Sequence, residues 1–157
     1  MQLRPFALLA TLALVTCGGA GDIKPKSGTW TYDGSMLVMS TCGDDPPVYA
    51  EGNFTLTDNG GSFTVDDGTY PAFTCSYEGG SYACAERVIE TIEDLPIDAT
   101  ITFNGSVDGD LDSATSLSGV HTVEVTCAGS SCSTAAELAN IDALPCEYTF
   151  SFTASTK

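Results

Sequence analysis

Apolar and polar side chains alternate with a period of two residues along most of the chain after Gly28. The alternation is clearest over residues 97–104, 121–127 and 147–154, where every second side chain is apolar or aromatic. This period is typical of β-strands with one buried face and one exposed face. About eight such segments follow Gly28, so the pattern predicts an all-β fold. We expect an antiparallel meander that closes as a barrel, with a sandwich as the alternative.

The dipeptide Asn59-Gly60 separates two of these alternating segments. Asn-Gly favours a type I′ turn, because both central residues of that turn need a positive φ angle. With this pair at the tip of a two-residue loop, Leu56 lies opposite Phe63 and the two side chains share one face of the hairpin. The segment therefore predicts a hairpin with a defined register.

A second hairpin is predicted around Gly79-Gly80. Counting outwards from this two-residue loop places Cys75 opposite Cys84 at a site without backbone hydrogen bonds between the paired residues. The Cα atoms of such a pair lie close enough for a disulfide to close. We therefore expect a bond between these two cysteines.

One segment departs from the alternating pattern. Thr134 and Glu137 have the spacing of a helix capping box, and Pro145 follows some residues later. These signals predict a helical turn or two near residues 134–140, before the last strand.

The first sixteen residues combine one base, Arg4, with an apolar run over residues 5–15 that ends at Leu14-Val15-Thr16-Cys17. Such a run is too short to span the roughly 30 Å hydrocarbon core of a membrane and is typical of a signal peptide. Its last four residues resemble the lipobox of bacterial lipoproteins, although Thr16 stands where a smaller residue is usual. The resemblance implies cleavage before Cys17 and acylation of this cysteine.

The lipoprotein resemblance divides the chain into a signal peptide (residues 1–16), a lipidated tether (17–27) and one β-domain (28–157). It also implies attachment to the membrane through the lipid, and the outer membrane is favoured because Gly18 follows the cysteine. The alternative is an ordinary signal cleavage near Ala20, which would release a soluble secreted protein. Both interpretations place the domain outside the cytoplasm.

Removal of Cys17 from the seven cysteines leaves six, an even number that suggests three disulfides in an oxidising compartment. Beside Cys75–Cys84, hairpin counting with Gly129-Ser130 at the tip brings Cys127 opposite Cys132. Cys42 and Cys146 then remain, and a bond between them would align the first and last strands antiparallel. Cys127 with Cys146 is the main competing pair among fifteen connectivities. A zinc site is the weaker interpretation, since the chain has one histidine and no Cys-x-x-Cys motif.

The predicted mature chain is strongly acidic. It has 157 − 16 = 141 residues, and its four bases against 21 acids give a net charge of 4 − 21 = −17. This charge repels phosphate backbones and anionic headgroups, which argues against nucleic-acid binding and leaves attachment to the lipid. The acidic side chains also serve solubility.

The tripeptide Gly28-Thr29-Trp30 resembles the Gly-x-Trp signature of lipocalins, in which the tryptophan closes one end of a β-barrel. The last predicted strand lacks the basic residue that packs on this tryptophan in lipocalins. The resemblance implies a barrel interior able to hold a small apolar ligand, with Trp30 as a lining residue.

Asp108, Asp110 and Asp112 have the alternate spacing of carboxylates in a calcium loop. Ser113 replaces the glycine of that loop and Gly119 replaces its bidentate glutamate. A hairpin tip is therefore the preferred interpretation, and the sequence predicts no metal and no cofactor.

No catalytic motif is visible in the sequence. The single histidine, His121, shares a strand face with valines and is predicted to pack or lie on the surface, and the pair Glu90 and Glu93 is one of many acidic pairs. We expect a non-catalytic, lipid-anchored envelope lipoprotein with a structural or protein-interaction role. The alternative is a lipocalin-like barrel for a small apolar ligand.

Overall fold

Eight antiparallel strands follow one another along the chain and close into a barrel. The structure, a computed structural model, describes residues 23–43, 46 and 50–157. The predicted all-β meander is confirmed, with the barrel rather than the sandwich as its architecture. The strands are β1 (Gly28–Ser40), β2 (Asn53–Asp58), β3 (Ser62–Asp66), β4 (Phe73–Glu78), β5 (Ser81–Ile92), β6 (Thr100–Ser113), β7 (Ser116–Ala128) and β8 (Cys146–Thr156).

The barrel closes where the first strand meets the last. β1 pairs antiparallel with β8 from Trp30 opposite Thr156 to Ser40 opposite Tyr148. A disulfide between Cys42 and Cys146 joins the two strands at the end of this ladder. The cystine therefore connects segments separated by 104 residues at the seam of the barrel.

The two predicted hairpins differ in outcome. In the β4–β5 hairpin, Cys75 lies opposite Cys84 and the two are disulfide-bonded, as predicted. In the β2–β3 hairpin the predicted register is wrong, because Leu56 lies opposite Val65 and not opposite Phe63.

Gly60 and Gly61, rather than Asn59 and Gly60, occupy the tip of the β2–β3 hairpin. Their φ angles of 74° and 102° suit the two positive-φ positions of the turn, and glycine adopts both without a steric penalty. The amide of Asn59 donates to the carbonyl of Ser62, which closes the turn. The shift leaves Leu56 and Phe63 buried on one face, because it preserves the alternation of faces along each strand.

A single helix among the described residues, α1 (Cys132–Leu138), lies between β7 and β8. Its N-cap is Ser131, without a side-chain capping bond, so the predicted capping box at Thr134 is wrong and Thr134 lies inside the helix. Cys127 and Cys132 are bonded as predicted, although Cys132 opens the helix and does not face Cys127 across a hairpin.

The interior contains two clusters of buried side chains, one towards each end of the barrel. The first includes Trp30 and Phe63, and the second includes Tyr148 and the helix residues Ala135 and Ala136. The small alanine side chains let α1 approach the barrel end closely, so the helix covers the end opposite to Trp30.

Residues 23–27, which the sequence assigns to the tether, lie against the barrel. Pro25 is buried, Ile23 packs on the first cluster, and the amide of Lys26 donates to the carbonyl of Ala114. The indole Nε1 of Trp30 donates to the carbonyl of Lys26 at 2.9 Å. Ordered contacts thus begin before Gly28.

The barrel wall is not of uniform height. β2, β3 and β4 have 5 or 6 residues each, whereas the other five strands have 11 to 14. The ladder between β1 and β2 ends at Thr31 opposite Asn53, so the second half of β1 pairs with β8 alone in the described part of the chain. We call β2–β3–β4 the low wall and the remaining strands the tall wall.

Candidate functional site

A register shift in β5 turns an arginine towards the barrel interior. Cys84 lies opposite Val107 and Arg87 lies opposite Gly105, so β5 contains one more residue than β6 between these pairs. Such a bulge reverses the alternation of faces, and for this reason Arg87 and Ile89 continue the inward face of Cys84. Without the bulge, the exposed Glu86 would occupy that face.

The Arg87 guanidinium rests on an aromatic ring. Its central carbon lies 3.5 Å from the centroid of Phe73, which is cation–π geometry. Its Nε and Nη1 atoms are buried and have no hydrogen-bond partner among the described residues. Each buried donor left unpaired costs about 1 to 3 kcal/mol. Because the residue as a whole is partly exposed, the cation is partly desolvated.

Burial is the main electrostatic influence on Arg87. It lowers the pKa of the guanidinium, while the charges of Asp67, Tyr32 and Asp66 act in the opposite direction. Arginine keeps its proton at neutral pH even after such a shift, because its ordinary pKa is very high. The barrel interior therefore contains a permanent positive charge.

The side chains of the two nearby aspartates, Asp66 and Asp67, accept hydrogen bonds from the loop that follows β3. Oδ1 of Asp67 accepts from the amides of Thr69 and Tyr70 at 2.8 and 3.0 Å, and Oδ1 of Asp66 accepts from Gly68 at 2.8 Å. These bonds are local turn contacts of the kind that aspartate forms readily. The carboxylates therefore fold the loop beside Arg87 and lend it only a through-space charge interaction.

His121 lies inside the barrel, in agreement with the packing alternative predicted from its valine neighbours. The side chain is 5% exposed, and its ring meets that of Phe73 edge-on at 5.7 Å. Burial, assisted by the charge of Arg87, lowers the pKa of His121 to about 4. The imidazole is therefore neutral at neutral pH.

A glycine on the neighbouring strand makes room for this histidine. Gly105 of β6 lies close to it, and a Cβ atom there would come within 2.9 Å of His121 Nε2 and collide with the side chain of Ile89. The backbone of β6 thus forms the wall at this point.

Two further glycines accommodate Tyr82. Gly109 and Gly119 pair across β6 and β7, and a Cβ on either would approach the Tyr82 hydroxyl. That hydroxyl donates to the carbonyl of Ser118 at 3.2 Å, and burial raises the pKa of the phenol well above its usual value. Tyr82 is therefore a protonated, fixed hydrogen-bond donor. Burial likewise raises the pKa of Tyr32 to about 12.

These side chains surround a cavity between the two core clusters. Its volume is about 30 Å³, and its lining is mostly aromatic and aliphatic. A space of this size holds a water molecule or two, whereas pockets for drug-sized ligands measure roughly 300 to 1,000 Å³. The polar side chains in the lining are Tyr32, Asp67, Tyr70, Tyr82, Arg87 and His121.

The three aspartates with calcium-loop spacing do not converge on one point. Asp108, Asp110 and Asp112 lie within β6, so both the loop geometry and the preferred hairpin-tip interpretation are wrong for Asp108 and Asp110. Alternate residues of a strand are spaced by roughly 7 Å, which is too far for one cation to bind all three. No group of three or more His, Cys, Asp or Glu side chains in the described residues is arranged to hold a metal ion.

The other predicted site residues are dispersed. Trp30 is fully buried and stacks on Phe54 at a centroid distance of 6.2 Å, so its indole fills the end of the barrel. Glu90 and Glu93 are both exposed and do not face the cavity. Cys17 and the proposed cleavage site lie outside the described residues.

The second half of β1 is an exposed apolar strand edge. Met36, Val38 and Met39 are 66, 59 and 47% exposed, and Leu37 is 36% exposed. An unpaired edge offers backbone N–H and C=O groups to another strand, and soluble proteins usually protect such edges with charges. Residues 34–40 contain no charged side chain. We call this segment the β1 edge.

Sequence reasoning counted Arg87 only as one of four bases in the mature chain. Two signals pointed to it: it is the sole arginine after residue 4, and it interrupts the alternation of β5 between Cys84 and Ile89. A polar residue where a strand changes phase is a sign of a bulge.

Comparison with protein-family models, curated proteins and solved structures finds no match to the chain. Within the described residues, no helix has the length and hydrophobicity to cross a lipid bilayer.

Proposed function

We propose that this chain is an exported, lipid-anchored domain of the cell envelope that acts through protein contacts and not through catalysis. The observation that carries the proposal is the β1 edge, where four apolar side chains are exposed on a strand with one free side in the described part of the chain. Exposed apolar patches of this kind mark interaction surfaces.

The partner that fits the β1 edge is an extended segment with apolar side chains between basic residues. Strand addition supplies the missing backbone hydrogen bonds, and apolar side chains cover Met36 and Val38. The charge follows from the rest of the domain, because a net charge of −17 in the predicted mature chain attracts a basic partner and repels an acidic one.

Export and lipidation are supported by the leader and by the cystines. Three disulfides fit an oxidising compartment, and a lipobox cysteine lies six residues before the first described residue. The smallness of the cavity favours a protein-contact role over the lipocalin-like alternative.

A synthetic strand tests the contact. We would titrate the oxidised domain with a peptide of alternating valine and threonine flanked by lysines, and with a glutamate-flanked copy, and follow the amide signals by NMR. We expect the lysine peptide to shift and protect the amides of residues 34–40. The double variant Met36→Lys/Val38→Lys should lose the response, whereas Leu138→Lys, an exposed apolar residue on α1, should keep it.

Equal responses to both peptides, or none along the β1 edge, would contradict the contact proposal. A native domain that copurifies with a small apolar molecule and is stabilised by it would favour the lipocalin-like alternative. The intact mass of membrane-extracted protein, before and after reduction, tests export separately. It should show acylation of Cys17 and a gain of six hydrogens on reduction, whereas an unprocessed chain with free thiols would exclude it.

A further inference from the structure

We infer that the cavity beside Arg87 is a binding site for a small monocarboxylate anion. The proposal rests on the contacts inside the barrel and is independent of the β1 edge. Its basis is a partly buried cation at the wall of a cavity, with two buried donors that have no partner among the described residues.

Arg87 is held in place for this role. The bulge in β5 directs it inward, and the ring of Phe73 covers one face of the guanidinium. A guanidinium donates in its own plane, so a ring on its face leaves the donors available to a ligand at its edge. Charge-assisted hydrogen bonds to a carboxylate are the strongest that such donors make.

The protein's own acids do not take this position. Nε and Nη1 of Arg87 donate to no atom of Asp66 or Asp67, whose Oδ1 atoms accept hydrogen bonds from loop amides. The two aspartates instead make the surroundings of the cation negative, which favours an anion of single charge over a dianion such as sulfate.

The other residues that line the cavity limit the size of the ligand and favour an apolar group beside its carboxylate. About 30 Å³ of free space, the room of a water molecule or two, limits the ligand to a carboxylate with one or two carbon atoms. Phe63, Phe73 and Phe152 offer apolar contacts to a methyl group, and the neutral His121 adds no competing charge. A short carboxylate matches both features, since it has an anionic end and an apolar end.

Acetate is the probe for this site. We would measure thermal unfolding of the oxidised domain in chloride-free buffer with increasing sodium acetate, at constant ionic strength maintained with sodium sulfate. We expect a saturable rise in Tm with acetate and none with acetamide, the uncharged analogue. In the native protein, NOEs should connect the acetate methyl group to ring protons of Phe73 or His121.

The matched variants are Arg87→Gln and Lys24→Gln, which remove one positive charge inside and outside the barrel. We expect Lys24→Gln to bind acetate as the native protein does, and Arg87→Gln to bind it at least about tenfold more weakly, as expected from the loss of hydrogen bonds to a charged group.

Equal stabilisation of the native protein and Arg87→Gln would show a bulk salt effect and overturn the proposal. An absence of saturation and of intermolecular NOEs in the native protein would also overturn it, and would leave water as the partner of the donors. Because the NOE measurement uses the native protein, the test remains decisive if Arg87→Gln does not fold. Failure of the β1 edge experiment leaves this result unaffected.

Discussion

The tall wall and the low wall of the barrel are built in different ways. The β7–β8 ladder has no register shift, and the β6–β7 ladder has one, near its tip. β1 and β5, the two strands that border the low wall, each contain two shifts along their tall-wall ladders. Bulges bend a strand and change which side chains face inward. Both features that we assign to function lie on these border strands: Arg87 faces inward because of a register shift in β5, and the β1 edge extends beyond the shorter β2.

The largest difference between the walls should appear when their cystines are removed. Cys42–Cys146 closes a loop with a separation of 104 residues, whereas Cys75–Cys84 in the low wall closes one of 9. Loop-closure entropy then predicts a loss of about 5 kcal/mol for Cys42→Ala/Cys146→Ala and about 3 kcal/mol for Cys75→Ala/Cys84→Ala. Urea unfolding of the oxidised proteins measures both.

The third cystine is the control for this predicted ranking of stability losses by loop length. Cys127–Cys132 has a separation of 5 residues, and its removal should cost about 2 kcal/mol. If the Cys75/Cys84 variant proves less stable than the Cys42/Cys146 variant, loop length does not determine how much each disulfide contributes to the free energy of unfolding.

A smaller effect concerns His121, which lies on β7 of the tall wall and contacts Phe73 of the low wall across the interior. Its pKa of about 4 lies below the usual 6.5, so between these values the unfolded chain binds a proton and the folded chain does not. The free energy of unfolding should therefore fall as the pH drops from about 6.5 to 4, with about 3 kcal/mol attributable to His121.

The control for the pH effect is His121→Gln, which cannot titrate. Carboxylates contribute to acid sensitivity in both proteins, so the quantity of interest is the difference between the two pH profiles of unfolding. Parallel profiles between pH 6.5 and 4 would contradict a buried neutral histidine.

The smallest of these effects tests the close packing of the tall wall. A Cβ at Gly109 would meet the carbonyl oxygen of Ser118 and the Cα of Gly119, and backbone atoms have little freedom to move away. We expect Gly109→Ala to lose about 2 kcal/mol through overpacking.

Gly34 in β1 is the matched site at the border of the low wall. The nearest atom to its added Cβ is Thr153 Oγ1 at 4.0 Å, and its φ angle is not positive, so Gly34→Ala should keep native stability. Thermal unfolding of the two variants provides the comparison. Equal losses would mean that the tall wall is no more tightly packed than its border.

The alternating pattern allowed prediction of the all-β class and the approximate strand number. Hairpin counting added the three preferred cysteine pairs, with Cys127–Cys146 left as the competing pair. The sequence also allowed prediction of which face of the β2–β3 hairpin each side chain occupies. The register error at this hairpin is two positions, and a shift of two keeps Leu56 and Phe63 on the buried face. Local turn chemistry and period-two burial carry this information, and both are properties of neighbouring residues.

The direction of Arg87 and the exposure of the β1 edge were decided only by the tertiary structure. Arg87 faces inward because β5 slips by one residue against β6, and the β1 edge is exposed because β2 ends at a lower level than β1. Both features depend on where the pairing between two neighbouring strands shifts or ends. Strand pairing joins residues that are distant in the sequence, so the pattern within one segment does not predict it.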